Sequence, residues 1–289
     1  MTFKILTDST SDLDEKWAQE HNVDIIGLTI ELDGKTYETV GDEKITSDFL
    51  LERMQEGAKP TTSQINVGQF EEVFSTYAEN DHSLLYLALS SHLSGTYQSA
   101  TIAREMVLDK YPDAQIEIVD TMAASCGEGV LAMLATKERQ EGKSLEEVKQ
   151  KIESLLPKLN TYFLVDDLNH LMRSGRSGRL SKGAAIIGSV AKIKPLLKLD
   201  SEGKLVPFAK TRGRKKGIKE IVTQATKTLS YSTLIIAYSG EKDSAQVMKE
   251  QLLADERIEE VIIRPLGPVI SAHVGSGALA LFSLGEENR

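Results

Sequence analysis

Cysteine is nearly absent. Cys126 is the single one in 289 residues, which excludes an internal disulfide framework and any metal site built from several thiolates. Aromatic side chains are nearly absent from the basic stretch Arg173 to Lys219, which has only Phe208, so the stacking platforms used on single-stranded nucleic acid are lacking there. Positive charge is also in deficit overall, with 34 Lys and Arg against 43 Asp and Glu and a formal net charge of -9. That balance argues against wholesale nucleic-acid binding. The longest stretch free of Asp, Glu, Lys and Arg runs from Pro265 to Gly285. Its prolines, glycines and His273 disfavour a membrane span, and it reads as buried irregular and strand structure. The beginning, Phe3-Lys4-Ile5-Leu6, goes straight into strand-like sequence without the apolar core and cleavage site of a signal peptide, so a cytoplasmic protein is expected. G-x-S-x-G, Walker, HExxH and EF-hand motifs are missing as well, which removes the common hydrolase, nucleotide and metal signatures.

What is there is a repeated handover from apolar strand to hydroxyl-rich loop to helix. Leu84 to Leu89 is an apolar run short enough for a buried strand. Ser90-Ser91-His92-Leu93-Ser94-Gly95-Thr96 follows as a loop, and Tyr97 to Met106 reads as a helix for which Ser94 or Thr96 could be the cap. The same order recurs at Phe3 to Thr7, then Asp8-Ser9-Thr10-Ser11-Asp12, then a helix to His21. It recurs again at Gln115 to Val119, then Asp120 to Ser125, then a helix near Gly127 to Gln140. Strands alternating with helices imply a parallel sheet with its loops gathered at the carboxyl edge, where a ligand is expected. Helix starts there offer free N–H groups and a positive dipole end to a carboxylate or phosphate.

Between these units, Val23 to Ile30 reads as one strand, with a hairpin around Asp33-Gly34 after it. Pro60 biases Lys59 away from helix, so Thr61-Thr62-Ser63-Gln64 is an extended loop before a helix at Val67 to Asn80. Two hydroxyl clusters with few charges fit a site that hydrogen-bonds a carboxylate without a salt bridge. The length favours two domains, divided here into 1–142 and 143–289 at Glu141-Gly142-Lys143. The second half supplies a strand at Tyr162 to Val165, a hairpin across Asp200 to Gly203, and a final strand, helix and strand from Thr233 to Arg264. The whole reads as α/β, with an N-terminal parallel-sheet Rossmann-like domain and a C-terminal mixed-sheet domain. Charge is uneven: from Arg173 to Lys219 there are 14 Lys or Arg against Asp200 and Glu202.

Taken together, Asp8 to Asp12, Thr62-Ser63-Gln64, Ser91 to Ala100, Val119-Asp120 with Ser125-Cys126-Gly127-Glu128-Gly129, Gly175-Arg176, Lys194-Pro195 and Gly267 to His273 resemble the DegV family over essentially the whole chain. Its characterised bacterial members are the fatty-acid-binding subunits of fatty acid kinase. Ile65-Asn66 departs from the Pro-Ser frequent there. The resemblance implies an acyl carboxyl group held by Thr62, Ser63 and Ser94 near His273, with the tail in an apolar tunnel, and Ser9, Gly95 and Ser125 bordering the ligand. It implies a long-chain fatty acid as ligand, no other cofactor, no metal and no catalytic residue of the chain's own. A partner kinase subunit would phosphorylate the bound carboxylate, with no nucleic acid and at most transient membrane-surface contact. Arg173, Arg176, Arg212, Lys215 and Lys216 are then candidates for docking that partner or lying near the phosphate. Each has a plainer reading: surface arginines are ordinarily solvated, His273 can be a satisfied core residue, and Ser125 and Cys126 pack or cap more readily than they react. A Ser/His-dependent lipid or ester hydrolase is the alternative function.

Overall fold

The structure is a computed structural model that describes residues 3–166, 168–173 and 193–289. Its first sheet is parallel and has the order β2-β1-β6-β7, formed by Val23–Ile26, Lys4–Asp8, Leu84–Ala88 and Ile116–Asp120. Every residue of β6 is buried, as expected of a central parallel strand with helices on both faces. One face packs Leu6, Tyr86 and Ile116 against Phe70, Phe74, Ala103 and Val107, on α3 (Val67–Glu79) and α4 (Thr96–Lys110). The other packs Ile5, Leu85 and Leu87 against Leu131 and Ala135 of α5 (Cys126–Gln140) and Val148 and Ile152 of α6 (Leu145–Leu155). α5 ends in a turn at Glu141-Gly142, and α6 beyond it still packs on this first sheet.

A second, mixed sheet runs β10-β9-β8-β13-β11-β12, from Leu205–Arg212, Ile193–Leu199, Leu159–Leu164, Leu279–Leu284, Thr233–Tyr238 and Glu260–Pro265. Pleating sends alternate side chains to opposite faces. On β13, Leu279 and Leu281 pack with Ile218, Ile221 and Met248 of α8 (Arg214–Thr226) and α9 (Asp243–Leu252), whereas Ala280 and Phe282 face the other way. On that second face, Ala280 and Phe282 group with Phe163, Leu199 and Leu205.

The region expected as a single strand at Val23 to Ile30 is two. β2 ends at Ile26, and β3 (Thr29–Leu32) joins a three-stranded antiparallel sheet with β4 (Lys35–Glu38) and β5 (Thr61–Ser63). Gly27 marks the break, and a Cβ there would lie 2.8 Å from Val40, so only glycine lets the chain turn against that neighbour. The stretch after Pro265, expected as irregular and strand structure, also contains a helix, α10 (Pro268–Val274). Gly267 precedes it as N-cap, and Pro268 occupies the first turn, where its fixed φ and missing N–H cost nothing. Gly275 ends it at φ 69, with the His170 ring 2.7 Å from where a Cβ would stand.

Candidate functional site

The parallel sheet has its topological switch between β1 and β6, because β2 lies on one side and β7 on the other. Ligands in such sheets sit beyond the carboxyl ends of the strands at that point. A cavity of about 660 Å³ lies there, lined by Thr10 after β1, Leu89, Leu93 and Ser94 after β6, and Ala124 and Ser125 after β7. The small sheet contributes Leu28 and Thr61, Thr62, Ser63 and Gln64, and α10 contributes Val269, Ile270, His273 and Val274. Thr161, Phe163, Leu199, Leu205, Ala280 and Phe282 close it from the second sheet. Its volume is within the range of roughly 300–1,000 Å³ typical of small-molecule sites. Among the described residues, the wall carries no Asp, Glu, Lys or Arg. Polarity is confined to hydroxyls, one amide and one imidazole.

All four expected head-group residues lie on this wall, brought there by three separate segments of the chain. Thr62 Oγ1 on β5 lies 2.9 Å from His273 Nε2 on α10, a contact spanning 211 positions of sequence. Ser63 follows Thr62, and Ser94 approaches from the start of α4. Ser94 is not the cap of that helix: Gly95 is, without a side-chain bond. The Ser94 hydroxyl instead accepts the Thr96 N–H at 3.2 Å and shares a hydrogen bond with Thr96 Oγ1 at 2.9 Å. Among the described residues, no hydrogen bond joins Ser94 to a histidine. Thr62 reaches the site from the separate antiparallel sheet, not from the parallel sheet's own edge.

The remaining candidates separate. Ser125 lines the cavity and occupies the N-cap position of α5 without capping it, at φ 57 and ψ -148, a strained conformation for a residue with a side chain. Its hydroxyl donates to Asp12 Oδ2 at 2.5 Å. Ser9 is off the wall; its Oγ accepts the Leu28 N–H at 3.0 Å. Gly95 is also off the wall, but a Cβ there would lie 2.2 Å from Gln64 Oε1, so glycine is what lets the Gln64 loop close on α4, where Gln64 Nε2 donates to Ser99 at 3.0 Å. Arg212 ends β10, and Lys215 and Lys216 lie in the first turn of α8; all three are exposed and away from the cavity. Arg173 is the last residue of α7 (Leu168–Arg173). Arg176 and the glycine-arginine turn around it lie outside the described residues. Thr10, Gln64 and Thr161 are wall residues that sequence reasoning did not single out.

Behind the wall is a buried acidic network in which, among the described residues, no cation takes part. Asp8 accepts the Thr10 N–H at 2.9 Å, the Thr10 hydroxyl at 2.5 Å, the Tyr86 hydroxyl at 2.9 Å and the Leu89 N–H at 3.2 Å. Glu128 lies 2.7 Å from Thr7 Oγ1 and 2.9 Å from Thr10 Oγ1. The Thr10 hydroxyl thus stands between the two carboxyl groups with one hydrogen to offer them. Burial pushes the Glu128 carboxyl well above its usual range, and neighbouring Asp8 adds to this. Asp8 is also raised by burial, opposed by its four hydrogen bonds. Asp12, behind Ser125, is pushed up to about 7 by burial of its carboxyl group.

A family model described as "Uncharacterised protein, DegV family" matches residues 2–286. A DegV domain-containing protein of Streptococcus pyogenes serotype M1 is 57% identical over 289 residues, covering 100% of both chains. Among solved structures, a fatty-acid-binding DegV family protein from Thermus thermophilus superposes with a TM-score of 0.87 at 32% identity, covering 99% of this chain and 100% of that one. A fatty acid binding DegV family protein from Streptococcus agalactiae does so with a TM-score of 0.87 at 28% identity, over 99% and 100% of the two chains. The two-sheet fold, the match along nearly the whole sequence and the end-to-end relative agree, and the chain belongs to the DegV family.

Proposed function

We propose that this protein binds one long-chain fatty acid, with its tail in the apolar cavity and its carboxyl group among Thr62, Ser63, Ser94 and His273. The observation that carries the reading is the cavity wall itself, apolar along most of its area, without charged side chains among the described residues, and with hydroxyls and His273 gathered on it. Each buried CH₂ contributes about 0.8 kcal/mol, so a tail of some sixteen carbons can dominate affinity while a few hydrogen bonds fix the head. Solved relatives of this fold bind fatty acids, which supports the same ligand class here.

The protein then presents that carboxyl group to a partner kinase, which phosphorylates it at the expense of ATP to an acyl phosphate for phospholipid synthesis. The chain itself is the carrier and supplies no catalytic residue. Arg212, Lys215 and Lys216 are exposed cations outside the cavity, and charge of that kind steers association with an acidic partner more than it binds the lipid. Arg173 and Arg176 belong to the same basic stretch of sequence and share the proposed docking role. Calorimetry of delipidated protein with saturated and unsaturated acids tests the reading. Saturable binding near one acid per chain is the expected result, and no heat of binding for any long-chain acid contradicts it.

A further inference from the structure

The cavity wall contributed by the second sheet holds a hydroxyl without a hydrogen-bond partner among the described residues. Thr161, on β8, is 5% exposed and lines the cavity, yet its Oγ1 has no hydrogen-bond partner. Thr7, Thr121 and Thr136, also buried, each donate to a backbone carbonyl; Ser283, off the cavity wall, is unpaired like Thr161. A buried hydroxyl without a partner is costly, and in an otherwise apolar wall it asks for a polar group in the cavity. Thr161 stands beside the start of α5, where a Cβ on Gly127 would be 3.4 Å from its Oγ1. Ser125, two residues earlier, also lines the cavity. The Ser125 hydrogen is committed to Asp12, so its oxygen is left to accept. Thr161 has its hydrogen to give. Together they offer one donor and one acceptor, which is the complement of an alcohol.

We propose that Thr161 and Ser125 form a second polar station in the cavity, taking a hydroxyl substituent on the acyl chain, so that hydroxy fatty acids are ligands of this protein. The proposal rests on the fatty-acid reading above and deepens it. Thr161 pairs with Phe282 across the β8–β13 ladder. Phe282 is four residues, or about 13 Å of extended chain, from Ala278, where the chain arrives from the helix that carries His273. A group bound there belongs to the chain's interior, away from the carboxyl end.

The test is competition binding of octadecanoic acid against a positional series of monohydroxyoctadecanoic acids, read as the ratio of their affinities. In wild type, the best-placed hydroxy acid should bind at least as tightly as the parent, although its hydroxyl must leave water. Thr161→Val, nearly the same shape, should lower that ratio roughly three- to tenfold, and Thr161→Ser should restore most of it. Ser283→Ala is the control, because Ser283 Oγ is also buried without a partner but is off the cavity wall; its ratio should match wild type. A series in which every hydroxy acid is weaker than the parent, by the same factor in wild type and Thr161→Val, overturns the proposal. Failure of wild type to bind octadecanoic acid at all would instead overturn the fatty-acid reading, and this proposal with it.

Discussion

The protein treats carboxyl groups in two adjoining places, and the contrast explains the site. Behind the wall, Asp8, Asp12 and Glu128 have their carboxyl groups buried with hydroxyl and amide donors around them and no cation among those partners. In the cavity, the described wall has the donors and lacks the carboxyl. Thr10 belongs to both, facing the cavity while its hydroxyl serves Asp8. In this network, hydroxyls and backbone amides hold buried carboxyl groups without a cation among those partners, and burial raises their pKa. A ligand carboxyl at the proposed Thr62, Ser63 and Ser94 station would meet the same physics.

Breaking the apolar half of this arrangement should have the largest effect. Ala280→Arg fills the cavity opposite Phe163 and buries a charge without a partner, so lipid binding should fall by about a hundredfold or more, read by calorimetry on protein whose circular dichroism is unchanged. Retained affinity would mean that the tail does not run past Ala280.

Removing a head-group donor comes next. Ser94→Ala and Thr62→Val should each weaken binding roughly ten- to hundredfold, because a hydrogen bond to a charged group is worth about 1.5–3 kcal/mol. Phosphorylation by a partner kinase should fall further, since transfer depends on how the carboxyl is aimed. Wild-type values for both quantities in Ser94→Ala would make Ser94 a purely structural residue of the loop before α4.

Titration sharpens the other side of the comparison. Asp12 has a folded pKa of about 7, above the value of about 3.9 for an unfolded chain. The folded state then holds the extra proton between these values, and the stability this provides is present at low pH and lost as pH rises through 7. Denaturation midpoints should therefore decline between about pH 4 and pH 7 by a component that Asp12→Asn removes. An unchanged slope in that variant would assign the titration to Asp8 or Glu128.

The smallest effect on lipid is expected from the exposed cations. Charge reversal at Arg212, or at Lys215 and Lys216 together, should change lipid affinity by no more than about twofold, as exposed charges contribute little. The same variants should slow phosphorylation of bound lipid and flatten its salt dependence. A matching loss of lipid affinity would relocate these residues to the site.

Much of this organisation is legible in the sequence because it rests on local signals. The three strand-loop-helix handovers place Thr10, Ser94 and Ser125 at one sheet edge, and Pro60 marks the extended Thr62 segment. What is not legible depends on contacts between distant segments. β2 and β3 look like one apolar run, and their assignment to different sheets turns on Gly27 packing against Val40. Helix α10 is seven residues long and rich in small side chains, too short to display a helical period. Thr161 was hidden because a strand judged from its apolar residues begins at Tyr162, whereas the ladder with β13 runs from Leu159.

Native mass spectrometry of the protein as purified from its expression host addresses the central claim most directly. The account predicts a population heavier than the apo chain by the mass of one long-chain fatty acid, released on denaturation. Protein that carries no lipid, and that gains none when incubated with long-chain acids, would contradict it.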